Sequence, residues 1–315
     1  MKQALKKLGA FLLTMVIVSL VAFLAFQILP GDPVTNMLGT SYTPERAEAL
    51  REQLGLNGPV FIRYWDWLRH FVTGDMGTSY SYLLPAGQLV MEKLPNTLAL
   101  SFLAFLLIAL ISVPLGLFTV RRHGGLADRC LTVVNQMVMA VPPFFTGILF
   151  TWVFSVLLSW LPGKFVEFSQ DPLGYWKCLF FPALSLALPR IAMAVRMLRS
   201  TLLEELHRDY VRTAVSRGND ARSTLYRHAL KNGLPPVITF LAQTMAEIVA
   251  GSIVVEQVFS VPGLGRLLLA SINNRDWPVV QAIVVLLALW VMLAGTVADM
   301  INQRIDPRLR LGGAG

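Results

Sequence analysis

This chain has little charge and almost no sulfur or imidazole chemistry. Only 15% of its 315 residues are Asp, Glu, Lys or Arg, against roughly 25% in an ordinary soluble domain. That shortage argues against a water-soluble fold. There are two cysteines, Cys130 and Cys178, and four histidines scattered at 70, 123, 207 and 228. They form no CxxC pair and no Cys/His cluster at metal-ligand spacing, which leaves no motif for a structural zinc or a redox dithiol. The G-x-x-x-x-G-K-[ST] phosphate loop is missing as well, so the chain has no means of that kind to bind ATP. No nucleophile, base and orienting partner can be grouped into a catalytic set. A membrane enzyme is the weakest of the classes left open.

What is present is apolar length. The composition is 55% hydrophobic with a mean hydropathy of +0.58, which predicts a polytopic membrane protein. Crossing about 30 Å of hydrocarbon takes ~20 residues of helix. Six runs qualify, at about 8–29, 97–120, 133–161, 179–198, 237–257 and 278–300. The fold class expected is therefore all-α with six transmembrane helices. Lys2, Lys6 and Lys7 precede the first run as in a secretory signal. Its apolar stretch is too long for a signal core, and "ILPGDP" offers no A-x-A cleavage site, so it reads as a retained helix. Pro114, Pro142, Pro143, Gly147, Pro182, Pro189, Gly251 and Gly295 interrupt the runs. They read either as breaks along a pathway or as kinks for packing.

The net charge of +8 is gathered in short segments between the runs. That pattern signals topology and not nucleic-acid binding. Lys and Arg cluster before the first run, between the second and third, between the fourth and fifth, and after the sixth. The positive-inside rule makes that side cytoplasmic, with both termini on it. The segment 30–96 then lies outside, with five basic and seven acidic residues. Within it, "TPERAEALREQLGLNGP" offers Thr43 as N-cap, Pro44 at the first helical position, and Gly55 or Gly58 as a stop. "FIRYWDWLRHF" sets Phe61, Tyr64 or Trp65, Leu68 and Phe71 at helical spacing, as in a helix packed at the membrane interface. On the opposite-side topology Cys130 and Cys178 flank the third run and cannot pair, because a disulfide needs Cα atoms within about 7 Å.

Two charges, Arg190 in the fourth run and Glu247 in the fifth, fall well inside the runs. Arg190 and Glu247 each cost about 2.5–3.5 kcal/mol to insert, so each should face protein or water. They are candidates for an intramembrane pair or for pathway lining, with snorkelling as the plainer alternative. Glu256 and Asp299 lie near run ends, where interfacial solvation would ease their burial.

The basic stretch "DYVRTAVSRGNDARSTLYRHALKNGLPP" at 209–236 stands between the fourth and fifth runs. Gly218 separates two short amphipathic pieces, and Gly233 with Pro235-Pro236 announces the next run. Val211, Ala214 and Val215 share one face of the first piece, while Leu225 and Leu230 lie close together on the second. Such a segment suits a socket in a partner protein, or anionic lipid headgroups.

"RTAVSRG" followed by His228 and "NGLPP" resembles the cytoplasmic coupling motif of bacterial binding-protein-dependent ABC importer permeases. More narrowly, the chain is similar to the first permease of the dipeptide, oligopeptide and nickel transporter family. "LPGDPV" at 29–34, "LREQLGL" at 50–56, "GDMGTSY" at 74–80, "PNTLALS" at 95–101, "VPLGL" at 113–117, "VEQVFSVPGLGRLLLASINNRDWPVVQA" at 255–282 and "ADMINQRIDPRLR" at 298–310 extend the likeness along nearly the whole chain. Arg212-Thr213-Ala214 stands where the general motif has Glu-Ala-Ala, a variant that peptide-family members resemble.

The resemblance implies the type I ABC importer permease fold in a bacterial inner membrane. It divides the chain into 1–29, 30–96 outside, a core 97–310 with the coupling loop 199–236, and a tail 311–315. It also implies an ATPase-coupling set of Tyr210, Val211, Arg212, Thr213, Ala214, Val215, Arg217, Gly218 and His228. The implied partners are a second homologous permease, two cytoplasmic ATPases that hold ATP–Mg, and an extracytoplasmic binding protein. No cofactor and no nucleic acid is expected on this chain. Di- or oligopeptides are the substrate implied, with nickel or another chelated metal second. A self-contained secondary transporter or channel is the reading from another class, and a membrane scaffold is a third.

Overall fold

A computed structural model describes residues 2–28, 33–160 and 164–305. The tail 311–315 and the end of the first run lie outside the described residues. Thirteen α-helices follow in chain order among those residues: α1 Lys2–Ile28, α2 Pro33–Leu38, α3 Pro44–Gln53, α4 Val60–Val72, α5 Ala86–Arg121, α6 Leu126–Ala140, α7 Pro143–Phe150, α8 Pro172–Leu206, α9 Asp209–Ser216, α10 Ala221–Ser223, α11 Leu230–Val258, α12 Leu264–Asn273 and α13 Trp277–Ile305. Wider, π-type turns continue α7 through Thr151–Leu157 and join α10 to α11 through Thr224–Ala229. The chain divides into two compact units, Met1–Thr97 with Pro262–Met292 and Leu98–Val261 with Leu293–Gly315.

Four unbroken helices are long and apolar enough to cross a membrane: Ala86–Arg121, Pro172–Leu206, Ala221–Val258 and Trp277–Ile305. The first run forms the 27-residue α1. The third run, expected as one helix over 133–161, is instead a pair, α6 and α7 with its continuation, bent by 101°. The cause is local. Val141 and Pro142 each precede a proline and sit in extended backbone, at ψ 123° and 145°, the region to which a pre-proline residue is confined.

The other interruptions do not break their helices. Pro114, Pro182, Pro189, Gly251 and Gly295 lie inside continuous helical spans. Gly233, Pro235 and Pro236 also fall within helix, so the piece after Gly218 and the fifth run form one element from Ala221 to Val258. Gly233 serves close approach and not termination: a Cβ there would meet Leu202 Cδ2 on α8 at 2.8 Å. Gly116 on α5 meets Leu198 Cδ2 in the same way, also at 2.8 Å.

Small residues that let backbones approach are the means of association where lipid removes the hydrophobic drive between helices. In the second unit α8 is the central helix: 67% of its most apolar stretch is buried, against 28% for α5. Ala183, Ala187, Leu186, Ile191 and Val195 of α8 pack with Leu100 and Ile108 of α5 and Ile248 and Val255 of α11. Gly233→Val should therefore push α11 off α8 at a cost of about 1–3 kcal/mol. The expected result is a lower thermal midpoint in detergent, partly recovered by adding Leu202→Ala.

The first unit follows local rules closely. Thr43 Oγ1 accepts the Arg46 amide at 3.3 Å, and Pro44 opens α3. Gly55 ends it at φ +66°, with Leu56 N bonded to Arg51 O at 2.8 Å and Gly55 N to Glu52 O at 3.0 Å. That is the Schellman closure that a left-handed glycine permits.

On α4 the expected face is met at Tyr64, Leu68 and Phe71 but not at Phe61 or Trp65. Phe61 and Trp65 are 76% and 61% exposed. Tyr64 and Phe71 turn inward as expected and Trp67 joins them, Tyr64 bonding Ser19 Oγ at 2.9 Å and meeting the Phe23 ring of α1 edge-on at 5.4 Å. One hydroxyl on α1 selects the tyrosine, because a buried phenol needs a partner. Asp276, fully buried, anchors the loop before α5: it accepts from the Ser79 hydroxyl, from Tyr80 N at 2.9 Å and from Ser81 N at 3.3 Å. Glu256 is also fully buried and accepts from Ser252 Oγ at 3.1 Å. The interfacial solvation expected for it is absent, and hydrogen bonding takes its place.

Candidate coupling segment and intramembrane ion pair

The segment after α8 is a short helix held off a longer one by a glycine turn. Arg208 precedes α9 in extended backbone, and the helix ends at Arg217. Gly218 then takes φ +87°. Asn219 N bonds Ala214 O at 3.2 Å and Gly218 N bonds Val215 O at 2.9 Å, again the Schellman pattern. The Asn219 side chain adds a bond to the same Ala214 carbonyl at 3.1 Å. Asp220 Oδ1 then caps the next helix by accepting Ser223 N at 3.1 Å.

The inward face of α9 is Val211 and Ala214, 5% and 7% exposed. Val215, expected on the same face, is 54% exposed. Arg212, Thr213, Ser216, Arg217 and Gly218 are exposed with it. Val211 and Ala214 are thus spent on packing within the chain, against the region where Leu225 and Ala229 join the core of Leu117, Leu198 and Leu202.

Tyr210 holds the root of the helix, donating to Glu205 Oε2 at 2.6 Å, while Arg208 Nε pairs with Glu205 Oε1 at 2.9 Å. Burial, and then the Glu205 carboxylate, push the Tyr210 phenol above its ordinary range. It therefore stays protonated and keeps donating. His228 is half-buried in the wider turn that leads into α11. Behind α9 lies a cavity of about 440 Å³, bordered by Val120, Arg121, Leu206, Val211, Val215 and Leu225.

A second anchor, which the reading of loop charges as topology markers missed, ties the α5–α6 turn to α8. Asp128, 3% exposed, receives Arg199 Nε on Oδ1 at 2.9 Å and Arg199 Nη2 on Oδ2 at 2.8 Å. Gly124 N donates to Oδ2 at 3.1 Å. His123 Nδ1 stands at the exposed rim, 3.3 Å from Asp128 Oδ2 and 3.2 Å from Arg199 Nη2. This fork geometry is the strongest that a carboxylate and a guanidinium form. The signal available in the sequence was one acid amid basic residues in "RRHGGLADRC".

Arg190 and Glu247 meet. Arg190 Nη1 lies 2.5 Å from Glu247 Oε2, joining α8 to α11, and the two side chains are 32% and 53% exposed. Each is near the middle of its helix. Cys130 is exposed, Cys178 is buried, and both are free. Among the described residues no group of three or more His, Cys, Asp or Glu could hold a metal ion.

Residues 112–311 match the family described as the binding-protein-dependent transport system inner membrane component, and residues 1–101 match its N-terminal companion. A probable peptide ABC transporter permease of Sinorhizobium fredii is 33% identical over 97% of this chain and 98% of its own length. The oligopeptide transport system permease protein AppB of Bacillus subtilis is 35% identical over 93% and 94%. The nickel import system permease protein NikB of Staphylococcus aureus is 30% identical over 98% and 92%. Among solved structures, an inward-facing form of the MetNI methionine ABC transporter superposes with a TM-score of 0.56, covering 70% of this chain and 97% of that one at 18% identity. The helical scaffold is thus that of an ABC importer permease. The chain belongs to the binding-protein-dependent transport system inner membrane components, the multi-pass permease subunits of ABC importers, which are not themselves catalytic.

Proposed function

We propose that this permease forms half of the translocation pathway for di- or oligopeptides, paired with a second homologous permease and driven by two ATPases that hold ATP–Mg. An extracytoplasmic binding protein delivers the substrate. The observation that carries this reading is the locked, outward-facing helix α9, in a chain 35% identical to an oligopeptide permease over 93% of its length. The glycine turn fixes the angle of α9, and Tyr210, Val211 and Ala214 fasten it to the bundle. Arg212, Thr213, Val215, Ser216 and Arg217 are left to meet the ATPase groove. Closure of the ATPases on ATP would then be transmitted through α9 to α8 and α11 as a rigid-body motion. The distribution of Lys and Arg supports cytoplasmic termini and an outside position for 30–96.

Nickel import is the second reading, favoured by the 30% identity to NikB over 98% of the chain. One experiment separates them. The permease is co-expressed with its neighbouring subunits, reconstituted in liposomes with the cognate binding protein, and given radiolabelled trialanine or nickel. Trialanine uptake that requires ATP supports the peptide reading. Uptake of nickel alone replaces it, and uptake without ATP would mean a secondary carrier.

A further inference from the structure

The Arg190–Glu247 pair sits on an exposed face where contact with lipid would be costly. Along α11, Gln243, Glu247, Ala250 and Val254 are exposed at i, i+4, i+7 and i+11, a single helical stripe. On α8, Met193 is exposed one turn from Arg190. Charged and amide side chains in mid-span face a bundle interior or a water-filled cavity, because exposure to hydrocarbon is costly. The two members of the pair belong to different helices, and neither is enclosed: 32% of one side chain and 53% of the other remain open. A purely structural pair in a helix core would be covered. This one is open on one side within the single chain.

Building on the peptide reading, we propose that Arg190 and Glu247 form an exchange site for the two termini of a zwitterionic peptide. Without substrate the two charges neutralise one another and hold the exposed faces of α8 and α11 together. An entering peptide brings an α-carboxylate for Arg190 and an α-ammonium for Glu247, so both side chains keep a counter-charge while they separate. Partner exchange removes the penalty of stranding either charge in a low-dielectric site. Two or three residues of extended chain place the termini about 7–10 Å apart, so exchange parts a contact that is 2.5 Å when empty. The site reads only main-chain termini, which every short peptide has. Sequence discrimination is left to the binding protein.

The test uses the complete reconstituted transporter with one binding protein throughout, and compares uptake of trialanine, its C-terminal amide and its N-acetyl form. Because the binding protein is constant, its own preference cancels when variants are compared with the parent. Arg190→Gln should lower the ratio of free to amidated uptake by about tenfold, and Glu247→Gln the ratio of free to acetylated uptake by a similar factor. The double variant R190Q/E247Q strands no charge, so it assembles even where a single variant does not, and it should show both ratios lowered. Unchanged ratios in the double variant, or full recovery of trialanine uptake by it, would reduce the pair to a helix brace and overturn the proposal. Absence of ATP-driven trialanine uptake by the parent complex would instead remove the peptide reading, and this site with it.

Discussion

Gly218→Val is expected to abolish ATPase association while leaving membrane abundance at the level of the parent. Gly218 sits at φ +87°, where a β-branched residue is strained by about 1–3 kcal/mol. A Cβ at this position would meet nothing within 4 Å. The penalty is therefore conformational and not steric, and it falls on the two bonds to Ala214 O and Val215 O that close α9. Relieving the strain means opening that closure and swinging α9 relative to Ala221–Val258. The spans insert by apolar length and are untouched. Substrate-stimulated ATP hydrolysis should fall on the order of tenfold or more. Gly218→Asn separates this cause from simple bulk, because asparagine tolerates the left-handed region and should retain most activity. Full transport by the valine variant at normal abundance would remove α9 as the coupling element. Equal loss in the valine and asparagine variants would assign the effect to size.

Breaking the Asp128–Arg199 fork should have the largest effect on stability. Asp128 is 3% exposed and accepts three donors, two from one guanidinium and one from Gly124 N. Asp128→Ala leaves Arg199, only 25% exposed at its side chain, without its counter-charge in a partly buried site. Removing one partner of such a pair costs about 3–5 kcal/mol. In detergent this should lower the apparent melting temperature on the order of 5–10 °C. The double change Asp128→Asn with Arg199→Gln should cost less than the sum of the single changes, since neither charge is then stranded. Additive losses would mean that the two side chains do not act as a unit. His123, at the rim of the cluster, should matter far less, because its side chain is 56% exposed.

Features governed by a few adjacent residues were legible in the sequence. Thr43 and Pro44 start α3, Gly55 ends it, and Gly218 turns the chain, each because a cap or a positive φ depends only on neighbours within about five positions. The apolar runs announced the spanning helices for the same kind of reason: length and composition decide insertion. The break at Pro142-Pro143 was visible as a possibility, since prolines restrict the residue before them. Its 101° bend was not, because it also depends on what packs against α6 and α7.

The coupling segment and the intramembrane pair divide along the same line. The sequence alone determined that a basic, glycine-hinged stretch stands between the fourth and fifth runs, and that Arg190 and Glu247 need company in lipid. Tertiary structure decided that these two charges are each other's company. It also decided that Val211 and Ala214 are buried while Val215, which borders the same cavity as Val211, stays largely exposed, although all three lie on one side of a helical wheel. Choosing among residues within one such arc depends on where α8, α10 and α11 leave room, which no periodicity encodes. Gly233 and Pro235-Pro236 read as a stop from local rules. Close packing of Gly233 on Leu202 shows why the helix runs on instead, since a glycine required by a neighbouring helix looks the same in sequence as one required by a turn. The buried carboxylates Asp128 and Asp276 were hidden for a related reason: their partners Arg199 and Ser79 are 71 and 197 residues away, and only the packed helices bring them together.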